Sequence, residues 1–239
     1  MEIIKVENLN KFYGKKRVLK NINLVFRRGE ISVIVGPNAS GKTTFMKCLL
    51  GLVVPSSGKI LFWGENIVGK SGYRRKIGYM PQIPNLPENL TPKDLFNLLV
   101  DIYGKDMVEK PERYIEMFSL QDFWNSPIKT LSGGTRQKVS ATLCLSIKAD
   151  VYLLDEPTAS LDPKSSIVLK EEIISKKEKG AAVILTTHII PTVEDISDNI
   201  TYIFEGEVKY SGDVRRLKGI TGEKTLERAV ARLNDVKNI

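Results

Sequence analysis

The chain has 239 residues, of which 42% are hydrophobic and 27% are charged, as in ordinary soluble proteins of one large or two small domains. No apolar run approaches the roughly 18 to 20 residues that a membrane-spanning helix needs, so the sequence argues against such a span. The net charge of +8 does not indicate a nucleic-acid platform, because the basic residues are dispersed and not interleaved with aromatic residues.

The N-terminal part predicts a small antiparallel sheet. Residues 3–9 and 18–26 alternate loosely between apolar and polar side chains, which is typical of strands joined by a short turn. We expect residues 10–16 to form that turn and to expose Phe12 and Tyr13. Tyr13 is positioned to stack on a flat base, although an exposed aromatic residue beside a glycine is more often a simple turn residue.

Residues 31–50 carry the strongest motif of the chain. An apolar β-branched run at 31–35 predicts a buried strand, and the apolar residues at 45–50 predict a helix. Between them lies Gly-x-x-x-x-Gly-Lys-Thr, the phosphate-binding loop pattern, which we call the phosphate loop (residues 36–43). Glycine lets backbone N–H groups approach phosphate oxygens, and the helix start adds a partial positive charge. Lys42 would reach the β- and γ-phosphates, and the Thr43 hydroxyl would ligate Mg²⁺. The structural alternative is a glycine-rich turn.

The middle of the chain predicts an insertion of helices. Strands are expected at 59–63 and 76–80, followed by three prolines within residues 81–87 that we interpret as a boundary between lobes, with Gln82 at its mouth. Thr91 and Pro92 form a typical helix start, and Pro111 starts a second helix. Cys48 and Cys144 lie far apart in apolar runs and are predicted to be buried thiols rather than a disulfide or metal ligands.

Three later segments place polar groups at helix starts or strand ends. Ser132, Gly133 and Gly134 would open a helix, which by itself is a common cap. A strand at 151–154 ends in Asp155 and Glu156, which suit a metal site and a general base, or simply a polar strand end. Another strand, at 182–185, precedes His188, the only histidine, which can reach the same edge of the sheet. A hairpin at 200–210 and a short amphipathic helix at 225–233 complete the chain.

Together these motifs resemble, in order and spacing, the ATPase subunits of ABC transporters. The resemblance covers nearly the whole chain and implies an α/β fold: a P-loop NTPase core with an antiparallel β subdomain and an inserted helical subdomain. It implies a single domain over 1–239, with the core at 1–84 and 136–211, the helical subdomain at 85–135 and a C-terminal tail at 212–239.

The resemblance also implies roles for individual residues. Glu156 would be the general base and His188 the γ-phosphate switch. Gln82 would touch the metal and the attacking water and would sense the γ-phosphate. Asp155 would serve Mg²⁺ with Thr43 and Gln82. ATP would be held by Tyr13, Gly36, Pro37, Asn38, Ala39, Ser40, Gly41, Lys42, Thr43 and Thr44 and, from a second copy or a paralogue, by Ser132, Gly133, Gly134 and Asp162.

Two positions depart from the pattern of the family. Thr135 stands where many members have glutamine, which puts the contact with the nucleotide ribose in doubt. The phosphate loop has Asn38 and Ala39 where a glycine is frequent, and we expect Ala39 to be tolerated if its φ is negative.

The implied partners are a second ATPase subunit and integral membrane permeases, with no nucleic acid expected. The chain would be cytoplasmic and peripheral on the membrane through the permease. Residues 87–91 and 225–229 look like exporter-type subunits, among which the nitrous oxide reductase maturation (copper-processing) type is one match. The alternatives are an ABC ATPase acting on nucleic acid or ribosomes, disfavoured by the single copy of each motif, and a regulator without hydrolysis, disfavoured by Asp155, Glu156 and His188.

Overall fold

The computed structural model describes residues 1–233, apart from the side chains of Pro191 and Thr192; the last residues of the predicted tail, 234–239, lie outside the described part. The described chain contains ten strands and eight α-helices. The strands are β1 (Glu2–Tyr13), β2 (Lys16–Arg27), β3 (Ile31–Val35), β4 (Ser57–Phe62), β5 (Glu65–Asn66), β6 (Ile77–Met80), β7 (Val151–Asp155), β8 (Ala182–Thr186), β9 (Asn199–Phe204) and β10 (Glu207–Gly212). The helices are α1 (Lys42–Leu49), α2 (Pro92–Tyr103), α3 (Pro111–Met117), α4 (Gly133–Ser146), α5 (Pro163–Glu178), α6 (Ile190–Ile196), α7 (Val214–Thr221) and α8 (Leu226–Arg232).

A six-stranded sheet forms the centre of the fold. Its order is β10-β9-β3-β8-β7-β6, and all neighbours are parallel except the β9–β10 hairpin. Every residue of β3, β7 and β8 is buried, because helices and the second sheet cover both faces. The carboxyl ends of these parallel strands meet at one edge, which brings the phosphate loop after β3 close to the acids at the end of β7.

The second sheet is antiparallel, in the order β2-β1-β4-β5, which confirms the sheet predicted before the phosphate loop. The predicted turn at 10–16 is wrong, because β1 continues to Tyr13 and the turn contains only Gly14 and Lys15. The β1–β2 ladder includes register shifts near Leu9 and Lys11, and such bulges interrupt the alternation that marks a strand in the sequence.

The helical insertion begins as predicted. The Thr91 hydroxyl accepts a hydrogen bond from the Asp94 N–H at 3.1 Å, and the Asp94 carboxylate accepts one from the Thr91 N–H at 3.0 Å, which makes a capping box with Pro92 in the first turn. The helices α2 and α3 pack against α4. Since α4 runs unbroken from Gly133 to Ser146, the predicted boundary after residue 135 falls inside a helix that the insertion and the core share.

Two hydrophobic clusters stabilise the fold, one on each side of the central sheet. The C-terminal helices belong to the first cluster, where Leu217, Leu226 and Ala229 are fully buried. Cys48 and Cys144 are both buried and free, as predicted, and burial raises the pKa of the Cys48 thiol to about 11. No helix in residues 1–233 combines the length and the apolar character required to cross a bilayer.

Candidate functional site

A cavity of about 830 Å³ lies at the carboxyl edge of the central sheet, beside the antiparallel sheet. The phosphate loop forms its floor, the start of β2 and the β9–β10 turn form one side, and the end of β7 forms another. The residues that line it are Tyr13, Lys16, Arg17, Val18, Lys20, Asn38, Ala39, Ser40, Gly41, Lys42, Thr43, Thr44, Gln82, Asp155, Glu156, Glu205 and Gly206. Most of the residues predicted to bind a nucleotide within one chain therefore face one cavity.

The phosphate loop packs so tightly that its two glycines cannot carry a side chain. A Cβ atom on Gly36 would lie 2.1 Å from the Ile203 carbonyl oxygen, and one on Gly41 would lie 2.9 Å from the Val18 carbonyl oxygen. Gly41 also adopts a φ of 109°, which glycine reaches without strain. The motif glycines are thus fixed by their neighbours on β9 and β2 as well as by the needs of a ligand.

Lys42 is held inside the loop. Its side chain is only 8% exposed, and Nζ donates hydrogen bonds to the carbonyl oxygens of Gly36 at 2.7 Å and Pro37 at 3.1 Å. Burial lowers the pKa of Lys42, and the charges of Glu156 and Asp155 oppose that shift. A compact cation at the floor of the cavity is therefore already positioned for an anionic ligand.

The start of α1 faces the same space. Thr43 is exposed in the first turn, and Thr44 is half-buried behind it. The Ser40 Oγ atom is buried and, within the described part of the chain, has no hydrogen-bond partner. Unpaired N–H groups at a helix N-terminus together with an unpaired hydroxyl form a site suited to phosphate oxygens.

Ala39 departs from the expected backbone. The sequence allowed it on condition of a negative φ, but its φ is 61°, in the left-handed region. An L-residue with a Cβ atom is disfavoured there by about 1–2 kcal/mol. The condition is not met, and the alanine instead introduces local strain into the phosphate loop.

The end of β7 presents two buried carboxylates. Asp155 accepts a hydrogen bond from the Thr186 hydroxyl on β8. Glu156 has a φ of 49°, and its N–H is held by Thr186 at 3.1 Å, so the chain turns sharply and its carboxylate faces the cavity. The Nδ1 atom of His188 approaches the Oε2 atom of Glu156 to 3.0 Å, and no other described residue supplies a hydrogen bond to that oxygen.

His188 lies at the edge of the sheet that the sequence predicts for it. Its side chain is 62% exposed, so it can move relative to the buried Glu156. Gln82 is also exposed and lines the cavity from the segment between β6 and α2. The structure thus brings both of these residues to the side of the cavity where Glu156 lies.

The oxygen atoms that line the cavity suit a Mg²⁺ ion that is shared with phosphate and water. They do not suit a metal ion whose ligands all come from the protein. No group of three or more His, Cys, Asp or Glu residues in the described chain is arranged to hold a metal ion. Mg²⁺ usually takes one or two protein oxygens and completes its shell with phosphates and water. Thr43 and Asp155 can supply such oxygens, and the Glu156 carboxylate, which lines the same cavity, adds further acceptor oxygens.

Tyr13 closes the opposite end of the cavity. It is the last residue of β1 and is 49% exposed. The Lys11 ammonium lies 5.0 Å from the centre of its ring and also donates to the Val54 carbonyl oxygen at 2.8 Å. This cation–π contact helps fix the ring at the rim of the cavity.

The remaining predicted residues lie elsewhere. Ser132 caps α4 by accepting a hydrogen bond from the Thr135 N–H at 3.1 Å, and Asp162 caps α5 by accepting one from the Ser165 N–H at 2.9 Å. Asp162 also pairs with Lys138 of α4 at 2.7 Å, and this contact, with the cap, holds the pKa of its carboxyl well below the usual range. Ser132, Gly133, Gly134 and Asp162 do not line the cavity of their own chain.

Sequence reasoning missed the residues that the start of β2 and the β9–β10 turn add to the cavity: Lys16, Arg17, Val18, Lys20, Glu205 and Gly206. The basic run after Tyr13 was the one available signal. The contribution of the β9–β10 turn depends on long-range packing, since the Gly206 N–H donates to the Ser40 carbonyl oxygen at 3.0 Å and a Cβ atom on Gly206 would lie 2.3 Å from the Val18 carbonyl oxygen.

Comparison with known proteins identifies the family. Residues 19–159 match the sequence model of the ABC transporter family. The lantibiotic transport ATP-binding protein SrtF of Streptococcus pyogenes is 33% identical over 86% of this chain and 89% of its own length. The Nod factor export ATP-binding protein I of Ralstonia nicotianae is 31% identical over 85% of this chain and 65% of its own. The molybdate/tungstate import ATP-binding protein WtpC of Methanocaldococcus jannaschii is 33% identical over 94% and 75%.

Solved structures agree with the sequence comparison. The structure of an ATP-binding subunit of an ABC transporter superposes with a TM-score of 0.89 and 30% identity, over 97% of this chain and 99% of that one. A dimeric ATP-binding cassette in a post-hydrolysis state, bound to ADP and Pi, has a TM-score of 0.79 and 28% identity over 88% and 98%. Since the family match spans more than half of the sequence and the relatives align over most of the fold, the chain belongs to the ABC transporter family, as an ATP-binding subunit.

Proposed function

We propose that this subunit hydrolyses ATP in the cavity and passes the resulting motion to a separate membrane permease. The observation that carries the proposal is Glu156. Its carboxylate is buried and follows an unusual backbone turn, its Oε2 atom is approached at 3.0 Å by the Nδ1 atom of the exposed His188, and it lines the same cavity as the phosphate loop. Such an arrangement lowers stability, and it is retained where chemistry needs it.

Binding would use groups already arranged for a triphosphate. Lys42 would exchange its two carbonyl partners for β- and γ-phosphate oxygens, and the start of α1 would add its N–H groups. Tyr13 would stack on the adenine at the other end of the cavity. Pro37 and Asn38 would shape the loop between them.

Hydrolysis would depend on Glu156 as the general base. A water oxygen forms a bond to the γ-phosphorus, the bond from that phosphorus to the β–γ bridging oxygen breaks, and Glu156 takes the proton of the water. Bound Mg²⁺, with oxygens of Thr43, Asp155 and Gln82 directly or through water, would neutralise charge on the β- and γ-phosphates. His188 would hydrogen-bond the γ-phosphate and report its presence.

A complete site would need two chains. Ser132, Gly133 and Gly134 open α4 outside the cavity of their own chain, with N–H groups that can meet an anion. We propose that they close on ATP bound to a second copy or a paralogue, with Asp162 at the same interface. The related cassette described as dimeric and bound to ADP and Pi supports this arrangement.

The permease would dock on the helical insertion. Leu98 and Ile102 lie one turn apart on α2 and are both about half exposed, and Ile83, next to Gln82, is 78% exposed. Exposed apolar side chains of this kind are typical of surfaces that bind a partner. Docking there would place the subunit on the cytoplasmic face of the membrane and would connect Gln82 to the permease.

The direction of transport is proposed as export. The relative named for Nod factor export supports export. The relative named for molybdate and tungstate import has a similar sequence identity. The permease, rather than this subunit, would therefore determine which cargo is transported. The resemblance of residues 87–91 and 225–229 to exporter-type subunits, including the copper-processing type, also favours export. Capture of the bound permease from membranes would identify the system.

The binding assignment is tested by Lys42→Ala, with Lys47→Ala as its control. Lys47 is exposed on the same helix and does not line the cavity. We expect Lys42→Ala to raise the dissociation constant for Mg-ATP at least about tenfold, since charge-assisted hydrogen bonds are lost. The control should stay within about twofold, and an unchanged constant for Lys42→Ala would contradict the assignment. Hydrolysis that appears only with added RNA or DNA would favour the nucleic-acid alternative.

A further inference from the structure

We propose that Lys16 binds the α-phosphate of the nucleotide and thereby determines affinity without taking part in the chemistry. This inference rests on the proposed function, because it assumes that a nucleotide occupies the cavity. Lys16 belongs to neither the phosphate loop nor the strand-end acids, and it lines the cavity from the first position of β2.

The turn fixes where the Lys16 side chain lies. Gly14 and Lys15 form a two-residue turn, and Gly14 has a φ of 56°, which glycine adopts readily at the first central position of such turns. Tyr13 and Lys16 are therefore directly paired across the two strands. Paired residues project their side chains on the same face, about 5 Å apart at Cβ.

The charges around the cavity leave Lys16 available. Of the three basic residues that β2 adds, Arg17 donates to the Asn10 side chain and lies over the Phe12 ring, and Lys20 lies 3.6 Å from Glu207. Within the described residues, the Lys16 ammonium has neither a hydrogen bond nor an ion pair. It is exposed at the start of β2 and can reach a ligand without breaking an existing contact.

The position of Lys16 between Tyr13 and Lys42 determines which phosphate of the nucleotide it can contact. The base would lie against Tyr13, and the terminal phosphates would lie against Lys42 on the floor. The ribose and the α-phosphate connect these two ends, so they pass beside the residue that is paired with Tyr13. An ammonium there would form a charge-assisted hydrogen bond to an α-phosphate oxygen, a contact that ATP and ADP make equally.

The chain offers a matched control in Lys15. It is the adjacent turn residue, it carries the same charge, and it does not line the cavity. We expect Lys16→Ala to raise the dissociation constants for ATP and for ADP by a similar factor of about ten, and Lys15→Ala to change both by less than about twofold. Lys16→Arg should restore most of the affinity. When the ATP concentration is varied, the Lys16→Ala enzyme should show a raised KM for ATP, whereas kcat, the rate per enzyme at saturating ATP, should be nearly retained.

Two results would overturn the inference. Equal effects of Lys15→Ala and Lys16→Ala would mean that only the general field of the turn acts on the ligand. A much larger loss for ATP than for ADP would place the ammonium at the γ-phosphate instead. Failure of the proposed function is distinguishable, because the wild-type protein would then bind neither nucleotide and Lys42→Ala would have no effect.

Discussion

Two regions of this protein bury charged side chains, and they do so in opposite ways. In the cavity beside the phosphate loop, the buried Ser40 hydroxyl has no hydrogen-bond partner among the described residues, and Lys42 is bound to backbone carbonyls. The Oε2 atom of Glu156 is approached at 3.0 Å by the exposed ring of His188. Between α3 and α5, by contrast, buried charges satisfy one another. The difference shows which buried charges serve a ligand and which serve the fold.

The second region is a network that joins the helical insertion to the core. Arg113 binds both carboxylate oxygens of Glu172, and Lys176 donates to Glu109 at 2.6 Å. Tyr114 donates to the Leu145 carbonyl oxygen at 2.8 Å and accepts from Lys176 at 3.0 Å. Glu172 and Lys176 are each only 2% exposed. Removing one member of such a network leaves another charge buried without a partner.

The largest expected effect is on hydrolysis and comes from the cavity. Glu156→Gln should lower the ATPase rate at least about a hundredfold, because the proposed general base is lost, while the dissociation constant for ATP stays within a few-fold of wild type. If the charge serves chemistry rather than the fold, its removal should leave the melting temperature unchanged or raise it. Turnover by this variant at the wild-type rate would contradict the role of Glu156 as general base. A large drop in melting temperature would show that the charge of Glu156 stabilises the fold, as the charges of the second region do.

The network should give the reverse result. Glu172→Ala should lower the free energy of unfolding by about 3 kcal/mol, because Arg113 and the buried Lys176 lose a partner. Nucleotide affinity of the remaining folded protein should be nearly unchanged. Glu171→Ala, an exposed neighbour on α5, is the control and should change stability by less than about 0.5 kcal/mol. Equal stabilities of the two variants, measured by urea denaturation, would show that the network contributes little.

The same network predicts a dependence on pH. Burial raises the pKa of Glu109, but the hydrogen bond and charge of Lys176 outweigh it, so that the pKa falls below its ordinary value of 4.5. A depressed folded-state pKa stabilises the fold above the unfolded value, and this contribution disappears as the pH falls through the folded-state value. The stability advantage of wild type over Glu109→Gln should therefore shrink as the pH falls below 4.5. A gap that widens with acid would contradict this sign.

A smaller effect sharpens the description of the cavity at its rim. Tyr13→Ala should raise the dissociation constant for ATP about five- to tenfold, since base stacking on an aromatic ring is lost. Tyr13→Phe should retain the affinity. Phe12→Ala is the control, because Phe12 is similarly exposed but does not line the cavity. Equal losses for the two alanine variants, measured by titration with ATP, would mean that the ring contributes only to the turn.

The smallest effect concerns strain in the phosphate loop. Ala39→Gly should relieve the left-handed backbone and should therefore raise stability by up to about 1 kcal/mol, after allowance for the greater freedom of glycine when unfolded. Ala231→Gly, in the exposed part of α8, should instead lose about that amount. If both substitutions destabilise the protein equally, Ala39 carries no strain.

The sequence was most informative where a local pattern determines the structure. Four apolar, β-branched residues within five positions predicted β3, and the Thr91 and Pro92 pattern predicted the start of α2, because each signal comes from neighbours in the chain. Long-range arrangements were not accessible. Glu109 and Glu172 are far apart in sequence, so their network could not be predicted, and neither could the packing of Gly206 against the phosphate loop. The φ of Ala39 is likewise set by its surroundings.

The central claim is that ATP bound to the phosphate loop of one chain is completed by the α4 start of another. The most direct test is the mass in solution of the Glu156→Gln protein, measured by light scattering with Mg-ATP and with Mg-ADP. The account predicts a particle of about twice 26.8 kDa with ATP and a monomer with ADP, and loss of the ATP-dependent dimer when Ser132→Arg is added. A protein that stays monomeric while saturated with ATP would contradict the account.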